Sequence, residues 1–345
     1  MVLAKVIGID LGTKSVKIYK KYKGVVLLEN NIIAQQKRSK NIFAAGNKAY
    51  EMLERTPKDI FVSYPVRSGV IADFDNMVKL INWYLNKINC KKGLFSNNTA
   101  YISVPWDISE VEKRAIYDLI NHSNASIKKI KIIDKPIAAA LGADINVQSP
   151  EGNMIVDIGG DTTEISVVSL GGIVSSKLIN IGGNHLDEAI INYTKKNKGI
   201  LIGSRTAEVV KMNLSTAIET NIGSIKVFGR DLVTGLPKEF EINSLEVYYA
   251  IKEYLYSIID TIKFILERTP PELSADIIEQ GIYLTGGGAL IEGLPELIYK
   301  ETDLKVNCVE EPMNSVIRGI GKIVEKTNTY ESLIVAPKAK KYKYS

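Results

Sequence analysis

Two short segments of the sequence follow one template that could hold phosphate. Residues 9–15 read Ile-Asp-Leu-Gly-Thr-Lys-Ser, and residues 156–162 read Val-Asp-Ile-Gly-Gly-Asp-Thr. In each, an Asp (Asp10 or Asp157) ends an apolar stretch predicted to be a strand, and glycine and hydroxyl residues form the turn that follows. Such an Asp can hold a hydrated magnesium ion, and such a turn can present N–H groups and hydroxyls to phosphate oxygens. Two of these hairpins could grip a nucleotide from both sides.

A third glycine-rich segment supports this interpretation. Gly286, Gly287 and Gly288 follow directly on a strand predicted at residues 281–285. One Asp-x-Gly turn alone would be weak evidence, because most such turns are only tight β-turns. Three unrelated turns are the alternative, but two turns in matched contexts and a third glycine-rich strand end favour one shared nucleotide.

The elements that must position these turns alternate between strands and helices. Strands are predicted at the two hairpins and at residues 101–104, 130–133 and 281–285, and the order predicts an α/β chain with an internal duplication. Ser109 and Glu112 form a predicted capping box, and Pro136 suits the first turn of an Ala-rich helix. Further helices are predicted at residues 77–88, 187–195, 206–214, 244–267 and 275–279.

The composition is typical of a globular protein. The chain has 345 residues, 45% hydrophobic and 24% charged, which is enough for two domains with large cores. No run approaches the roughly 18 apolar residues of a membrane span, and the first residues lack the features of a signal peptide. Two cysteines, Cys90 and Cys308, are too few for a disulfide framework or a zinc site. We therefore expect a cytosolic protein.

The charge balance gives little information about partners. The formal net charge of +5 is a mild excess and does not indicate a nucleic-acid partner. Part of it lies in residues 337–345, a basic tail that we expect to be disordered, with an electrostatic tether to an acidic surface as the alternative.

Longer stretches carry a family resemblance. Residues 9–13, 157–164 and 284–294 resemble the first phosphate, second phosphate and adenosine motifs of the actin, Hsp70 and sugar kinase superfamily. Within it, residue 5 to about residue 325 resembles MreB, the family of bacterial actins. The most specific MreB-like stretches are residues 69–75, 111–115, 169–174, 205–208, 229–237 and 269–273.

The resemblance implies two actin-like, ribonuclease H-like domains around a nucleotide cleft, each with a smaller subdomain. The implied first domain comprises residues 1–31, 68–143 and 314–336, with residues 32–67 as its subdomain. The second comprises residues 144–181 and 244–313, with residues 182–243 as its subdomain. ATP and magnesium would bind between them. The family further implies double protofilaments, attachment to the inner face of the membrane, a role in cell shape or shape-linked motility, and other bacterial actin paralogues as partners.

The site residues follow from the family motifs. Those implied for phosphate are Asp10, Gly12, Thr13, Asp157, Gly159, Gly160 and Thr162, with Asp10 and Asp157 holding magnesium partly through water. Lys14 and Asp161 lie in the same two turns and are also expected beside the nucleotide, although they depart from the family pattern. Those implied for ribose and adenine are Glu208 and Lys211, with Gly286, Gly287 and Gly288 opposite. On spacing alone, Glu208 and Lys211 could equally be a solvated pair on a helix.

One departure from the family pattern bears on catalysis. MreB proteins usually have a Glu before the Pro that opens the Ala-rich helix, and this Glu orients the attacking water, whereas here the residue is Lys135. An ammonium group has three donors and no acceptor, so it cannot take up a proton. We therefore expect slow or absent hydrolysis, with Lys135 pairing with the γ-phosphate. The alternative is a surface exchange of small effect.

Two further departures are charged and occupy equivalent positions of the repeat. Asp161 replaces a glycine of the family motif, and Lys14 replaces a small residue. They could form an ion pair across the cleft, Lys135 could neutralise Asp161, or both could point to water.

A predicted loop contains two large apolar residues, Leu94 and Phe95, just after Lys91 and Lys92. MreB proteins insert a hydrophobic loop of this kind into the bilayer, and apolar insertion beside lysines suits an anionic membrane surface. The alternative is that the pair folds back onto its own domain.

Three classes of function fit the superfamily. The sequence favours an ATP-binding cytoskeletal filament protein with weakened turnover. A small-molecule kinase of the same fold is the alternative, although no separate sugar-binding signature is present. A chaperone ATPase is disfavoured, because the chain is too short to add a substrate-binding domain.

Overall fold

The computed structural model describes residues 5–90 and 97–335. Leu94 and Phe95, which we predict to contact the membrane, and the basic tail at residues 337–345 lie outside the described residues. Among the described helices, none combines the length and the apolar character that a bilayer crossing requires.

The first large sheet carries the first hairpin. It contains β1 (Val6–Leu11), β2 (Ser15–Lys20), β3 (Gly24–Asn30), β9 (Asn98–Val104), β10 (Ile127–Asp134) and β19 (Ile334–Val335), in the spatial order β19-β10-β9-β1-β2-β3. Strands β1 and β2 form the antiparallel hairpin, and β1 pairs with β9 in parallel. The turn between β1 and β2 therefore lies at the carboxyl edge of a mixed sheet.

The second large sheet repeats this arrangement. It contains β11 (Asn153–Ile158), β12 (Thr163–Ser169), β13 (Gly172–Ile179), β17 (Ile282–Thr285) and β18 (Val306–Cys308), in the order β13-β12-β11-β17-β18. Strands β11 and β12 form the second hairpin, and β11 pairs with β17 in parallel. The internal duplication predicted from the two motifs is thus present in the topology, and the α/β prediction is confirmed.

Smaller sheets lie outside these two. One contains β4 (Ile33–Gln36), β5 (Ile42–Ala45) and β6 (Ile60–Ser63); another contains β14 (Ile200–Leu201), β15 (Ser224–Asp231) and β16 (Pro237–Asn243). A short pair joins β7 (Val66–Arg67) and β8 (Val70–Ile71). Two of these sheets fall within residues 32–67 and 182–243, and the exact domain boundaries stay a prediction.

The helices differ from the sequence prediction mainly at their N-termini. Their bounds are α1 Asn47–Glu51, α2 Phe74–Lys87, α3 Glu110–Asn121, α4 Lys135–Gly142, α5 Gly183–Tyr193, α6 Ser204–Leu214, α7 Ser244–Glu267, α8 Pro271–Gln280, α9 Leu294–Thr302 and α10 Ser315–Glu325. The predicted capping box of α3 is present, and α7 has the predicted limits. Helix α5 begins four residues earlier than predicted, because Gly183 and Asn184 donate backbone N–H groups to Gly159 and Gly160 of the second hairpin.

Helices α4 and α10 pack between the two large sheets. Their apolar side chains share one buried cluster with Tyr101 of β9, Ile155 of β11 and Val168 of β12. Two glycines allow this close packing: a Cβ at Gly142 would lie 1.8 Å from the Ser315 carbonyl oxygen, and one at Gly319 would lie 1.8 Å from that of Ala138. The N-terminus of α4, where Lys135 lies, is thereby fixed.

Candidate functional site

The two hairpin turns have the same internal structure and lie against each other. The Gly12 N–H donates to the Ser15 carbonyl oxygen at 3.0 Å, and the Gly159 N–H donates to that of Thr162 at 2.8 Å. A Cβ at Gly160 would lie 2.6 Å from Cγ of Lys14, so the turns touch at this point. The two motifs that the sequence places 147 residues apart therefore meet in one cleft.

The adenosine-type glycines lie beside the second hairpin. Gly286 has a φ of +81°, and a Cβ there would lie 2.3 Å from the Ile158 carbonyl oxygen. A Cβ at Gly288 would lie 2.2 Å from Cγ2 of Ile158, whereas one at Gly287 would meet only Cγ of Met313, at 3.9 Å. Gly286 and Gly288 are thus required by packing on β11, and Gly287 has open space in front of it.

Lys135 lies between the acidic groups of the cleft. Its Nζ is 2.7 Å from Oδ2 of Asp157, and its side chain is 18% exposed. The angle at which the two groups meet does not satisfy hydrogen-bond geometry. The ammonium and the carboxylate still attract each other, because electrostatic attraction depends on the distance between the charges. Burial on its own would lower the pKa of Lys135, but the carboxylates of Asp157, Glu164 and Asp10 outweigh it and raise the pKa above its ordinary value. The ammonium group stays charged.

Asp10 has a lysine partner of its own. Lys17 Nζ donates to Oδ2 of Asp10 at 3.3 Å, and the Ser103 hydroxyl donates to Oδ1 at 3.3 Å. Lys17 lies directly across the β1-β2 ladder from Asp10, as Glu164 lies across the β11-β12 ladder from Asp157. The sequence interpretation missed Lys17 and Glu164, although extending the repeat alignment three residues beyond Lys14 and Asp161 pairs them.

Two carboxyl groups adjoin Lys135, one buried and one partly buried. Glu164 is 3% exposed, and its Oε1 accepts the Trp106 N–H at 2.8 Å. Burial raises the pKa of Glu164 to about 7, although the ammonium group of Lys135 opposes this. Burial also raises the pKa of Asp134, the residue before α4, to about 6. Both groups therefore titrate close to neutral pH.

Lys14 and Asp161 do not pair with each other. Lys14 Nζ is 3.0 Å from Oε1 of Glu208 and 3.9 Å from Oδ2 of Asp187. Oδ2 of Asp161 accepts the Ser68 N–H at 2.8 Å, and its Oδ1 accepts the side-chain amide of Asn184. Two of the three arrangements that the sequence left open are therefore not formed: Lys14 and Asp161 each have another partner, and Lys135 faces Asp157 and not Asp161.

Glu208 and Lys211 face the cleft and do not form a solvated pair. Glu208 bonds with Lys14, and the Tyr50 hydroxyl donates to its other oxygen. Lys211 Nζ is 2.7 Å from Oδ1 of Asp187 and donates to the Gly183 carbonyl oxygen at 2.9 Å. Burial raises the pKa of Asp187 despite both lysines. Asp187 was also missed, and nothing in its local sequence distinguishes it from other polar residues of α5.

A cavity opens between these side chains. It has a volume of about 370 Å³ and is lined by Thr13, Lys14, Asp161, Asp187 and Glu208, among others. This volume lies within the usual range for small-molecule sites, roughly 300–1,000 Å³. Polar groups from both hairpins, α5 and α6 thus converge on one open cavity.

The C-terminal end of α1 and the turn after it contact the start of α6 beside this cavity. Both carboxylate oxygens of Glu54 accept the Ser204 N–H, at 3.0 and 3.2 Å. Arg205 donates to the Glu51 carbonyl oxygen at 3.0 Å. No motif in the sequence indicated these contacts, because they depend on how the two small sheets are placed.

The predicted magnesium ligands are already neutralised. Asp10 and Asp157 each have a lysine ammonium within 3.3 Å. Within residues 5–90 and 97–335, no group of three or more His, Cys, Asp or Glu side chains is arranged to hold a metal ion. A hydrated magnesium ion is normally held by one or two free carboxylates together with phosphate oxygens. The side chains present do not fit an additional divalent cation.

Known proteins resemble this chain over nearly its whole length. The family described as MreB/Mbl protein matches residues 4–332. The cell shape-determining protein Mbl of Bacillus subtilis (strain 168) is 42% identical over 323 residues, which cover 93% of this chain and 96% of that protein. The cell shape-determining protein MreB of Escherichia coli (strain K12) is 40% identical over 324 residues, covering 92% and 93%.

Solved structures agree with this. The crystal structure of MreB5 of Spiroplasma citri bound to ADP superposes with a TM-score of 0.89 at 34% identity, covering 95% of this chain and 98% of that one. The structure of the same protein bound to AMPPNP also gives a TM-score of 0.89, at 33% identity, covering 96% and 99%.

Proposed function

The chain belongs to the MreB/Mbl family of cell shape-determining cytoskeletal proteins, with its actin-like fold, and we propose that it is a filament protein that binds ATP in the cleft but hydrolyses it weakly. The family and fold inferred from the phosphate and adenosine motifs are thereby confirmed. The bound nucleotide, the polymer, the membrane contact and the weakened turnover form the proposal.

ATP binding is supported by the convergence of the predicted residues. Thr13, Lys14, Asp161 and Glu208 line one cavity, and Lys211 adjoins it through Asp187. Gly286 and Gly288 pack against the second hairpin, and the related MreB5 binds ADP and AMPPNP. The prediction that magnesium accompanies the nucleotide through Asp10 and Asp157 is left out of the proposal, because both carboxylates face lysines.

One observation carries the proposal of weakened hydrolysis: the Lys135 ammonium lies 2.7 Å from the Asp157 carboxylate inside the cleft. This position argues against a surface exchange of small effect. A group with donors only cannot accept a proton from an attacking water or orient that water as a carboxylate does. The predicted pairing of Lys135 with the γ-phosphate would require the ammonium group to share or leave Asp157.

Polymerisation is the feature that separates this proposal from the kinase alternative. Electron microscopy of the purified chain with ATP, at rising protein concentration, should show protofilaments, which we expect to be double. A chain that stays monomeric at every concentration and transfers phosphate to a small molecule would favour the kinase.

Attachment to the inner membrane face is proposed through Leu94 and Phe95, with the tail as a second contact. In sedimentation with anionic liposomes, Leu94→Ser with Phe95→Ser should lose most binding, because apolar insertion carries much of the affinity. A matched control replaces Leu28 and Phe43, which are 55% and 54% exposed elsewhere, with serine. Equal binding by the two double variants would contradict the loop's role.

A peripheral cytoplasmic location, a role in shape or motility and paralogue partners belong to the same proposal.

A further inference from the structure

We propose that Lys135 and Lys17 are built-in counter-cations of the phosphate site, so that the cleft binds nucleotide with little dependence on magnesium. This inference rests on the proposed ATP binding. It concerns the source of positive charge in the cleft, which the family resemblance assigns to a metal ion.

The first step is the pairing of charges. The two carboxylates expected to hold the metal are Asp10, which is 4% exposed, and Asp157, which is 7% exposed. Each has its own ammonium group, Lys17 at 3.3 Å and Lys135 at 2.7 Å. Two lysines therefore supply the two positive charges that a divalent ion would otherwise bring.

The second step is that both lysines are held in place. Lys17 is 8% exposed and lies on β2, in register with Asp10 on β1. Lys135 is the first residue of α4, whose position is fixed by close packing on α10. Neither ammonium group can turn into bulk water without leaving a buried carboxylate unpaired, which is costly.

The third step is the balance of charge around Lys135. Lys135 Nζ lies 2.7 Å from Oδ2 of Asp157, so this ion pair already places a positive charge beside the carboxylate. A magnesium ion bound to Asp157 would be placed beside this cation, and like charges at such a separation repel strongly in a buried site. Phosphate oxygens, by contrast, are attracted to an ammonium group that already lies at the turn.

The experiment compares nucleotide affinity with and without the metal. Fluorescent ATP is titrated into the full chain in magnesium and, separately, in EDTA, and the ratio of the two dissociation constants is measured. We expect a ratio below about fivefold for the wild type. A larger ratio would overturn the inference while leaving ATP binding intact, whereas no saturable binding in either buffer would contradict both proposals.

Variants assign the effect to the lysine. Lys135→Gln removes the cation and leaves the carboxylates of Asp157 and Glu164 facing the phosphates without it. The ratio of the dissociation constant in EDTA to that in magnesium should therefore rise to at least about tenfold. Lys135→Arg keeps the charge and should retain the wild-type ratio. The control Lys196→Gln makes the same charge change at an exposed position beyond the C-terminal end of α5.

Two further results complete the test. Thermal unfolding shows whether each variant is folded. If Lys135→Gln does not fold, the ratio measured for the wild type in magnesium and in EDTA still tests the inference. Magnesium chloride titrated into the nucleotide-free chain should give no saturable heat with wild type and a measurable heat with Lys135→Gln. Saturable magnesium binding by the free wild type would overturn the inference.

Discussion

Glu164 should give the stability of the fold a pH dependence that one substitution removes. Its carboxyl group is 3% exposed, and its Oε1 accepts one backbone N–H, while Oε2 has no hydrogen-bond partner among the described residues. Burial raises the pKa of Glu164 to about 7 from its ordinary value of 4.5, although Lys135 and the Trp106 N–H act in the opposite direction. The folded chain therefore holds this proton more tightly than the unfolded chain does.

The sign and size of the effect follow from this difference. The stability that the bound proton contributes is complete below about pH 4.5 and is lost as the pH rises through about 7. The difference in pKa corresponds to roughly 3 kcal/mol of unfolding free energy, lost by about pH 8. Within this range the slope approaches about 1.4 kcal/mol per pH unit.

The substitution Glu164→Gln tests this, because the amide keeps an oxygen for the Trp106 N–H and cannot ionise. Urea unfolding of both chains between about pH 5 and pH 8.5 gives the difference in unfolding free energy at each pH. As the pH rises, the wild type should lose roughly 3 kcal/mol of unfolding free energy relative to Glu164→Gln. The exposed control Glu239→Gln should show no such shift. Parallel curves for wild type and Glu164→Gln would refute the reasoning.

Further predictions concern the walls of the cleft. Gly287→Ala should keep its unfolding midpoint, because its Cβ meets only Met313 at 3.9 Å. It should lose ATP affinity severalfold, because the family motif places this glycine against the nucleotide. Gly288→Ala should instead lose about 1–3 kcal/mol of stability, because its Cβ would overlap Ile158, and urea unfolding with ATP titration separates the two roles. Glu54→Ala should release fluorescent nucleotide severalfold faster in a chase experiment, because it removes the acceptor that holds the Ser204 N–H at the start of α6. An unchanged release rate would show that this contact does not keep the cleft closed.

Much of the fold could be predicted because its signals are local. The apolar strand ends and turn glycines locate Asp10 and Asp157, and the long apolar stripe of α7 gives both ends of Ser244–Glu267. Matching elements then indicate a duplication, and the family resemblance supplies the two halves of the site.

The pairing of charges could not be predicted in the same way. The sequence left open whether Lys14 pairs with Asp161; in the fold α6 brings Glu208 to Lys14, and α5 supplies Asn184 to Asp161. The contact between Lys135 and Asp157 depends on where α10 holds α4, which no local pattern records. Tyr50 contacts Glu208 and Glu54 contacts Ser204 across the cleft, and both contacts depend on the placement of two separate small sheets.

The central claim is that the cleft keeps its nucleotide while Lys135 limits hydrolysis. Phosphate release in a single turnover, with chains saturated with ATP in magnesium buffer, tests this for wild type and Lys135→Glu. We expect Lys135→Glu to be faster by on the order of 10²-fold, because a carboxylate there can accept a proton and hold water. Wild-type hydrolysis as fast as that of Lys135→Glu, with ATP bound to both, would contradict the account.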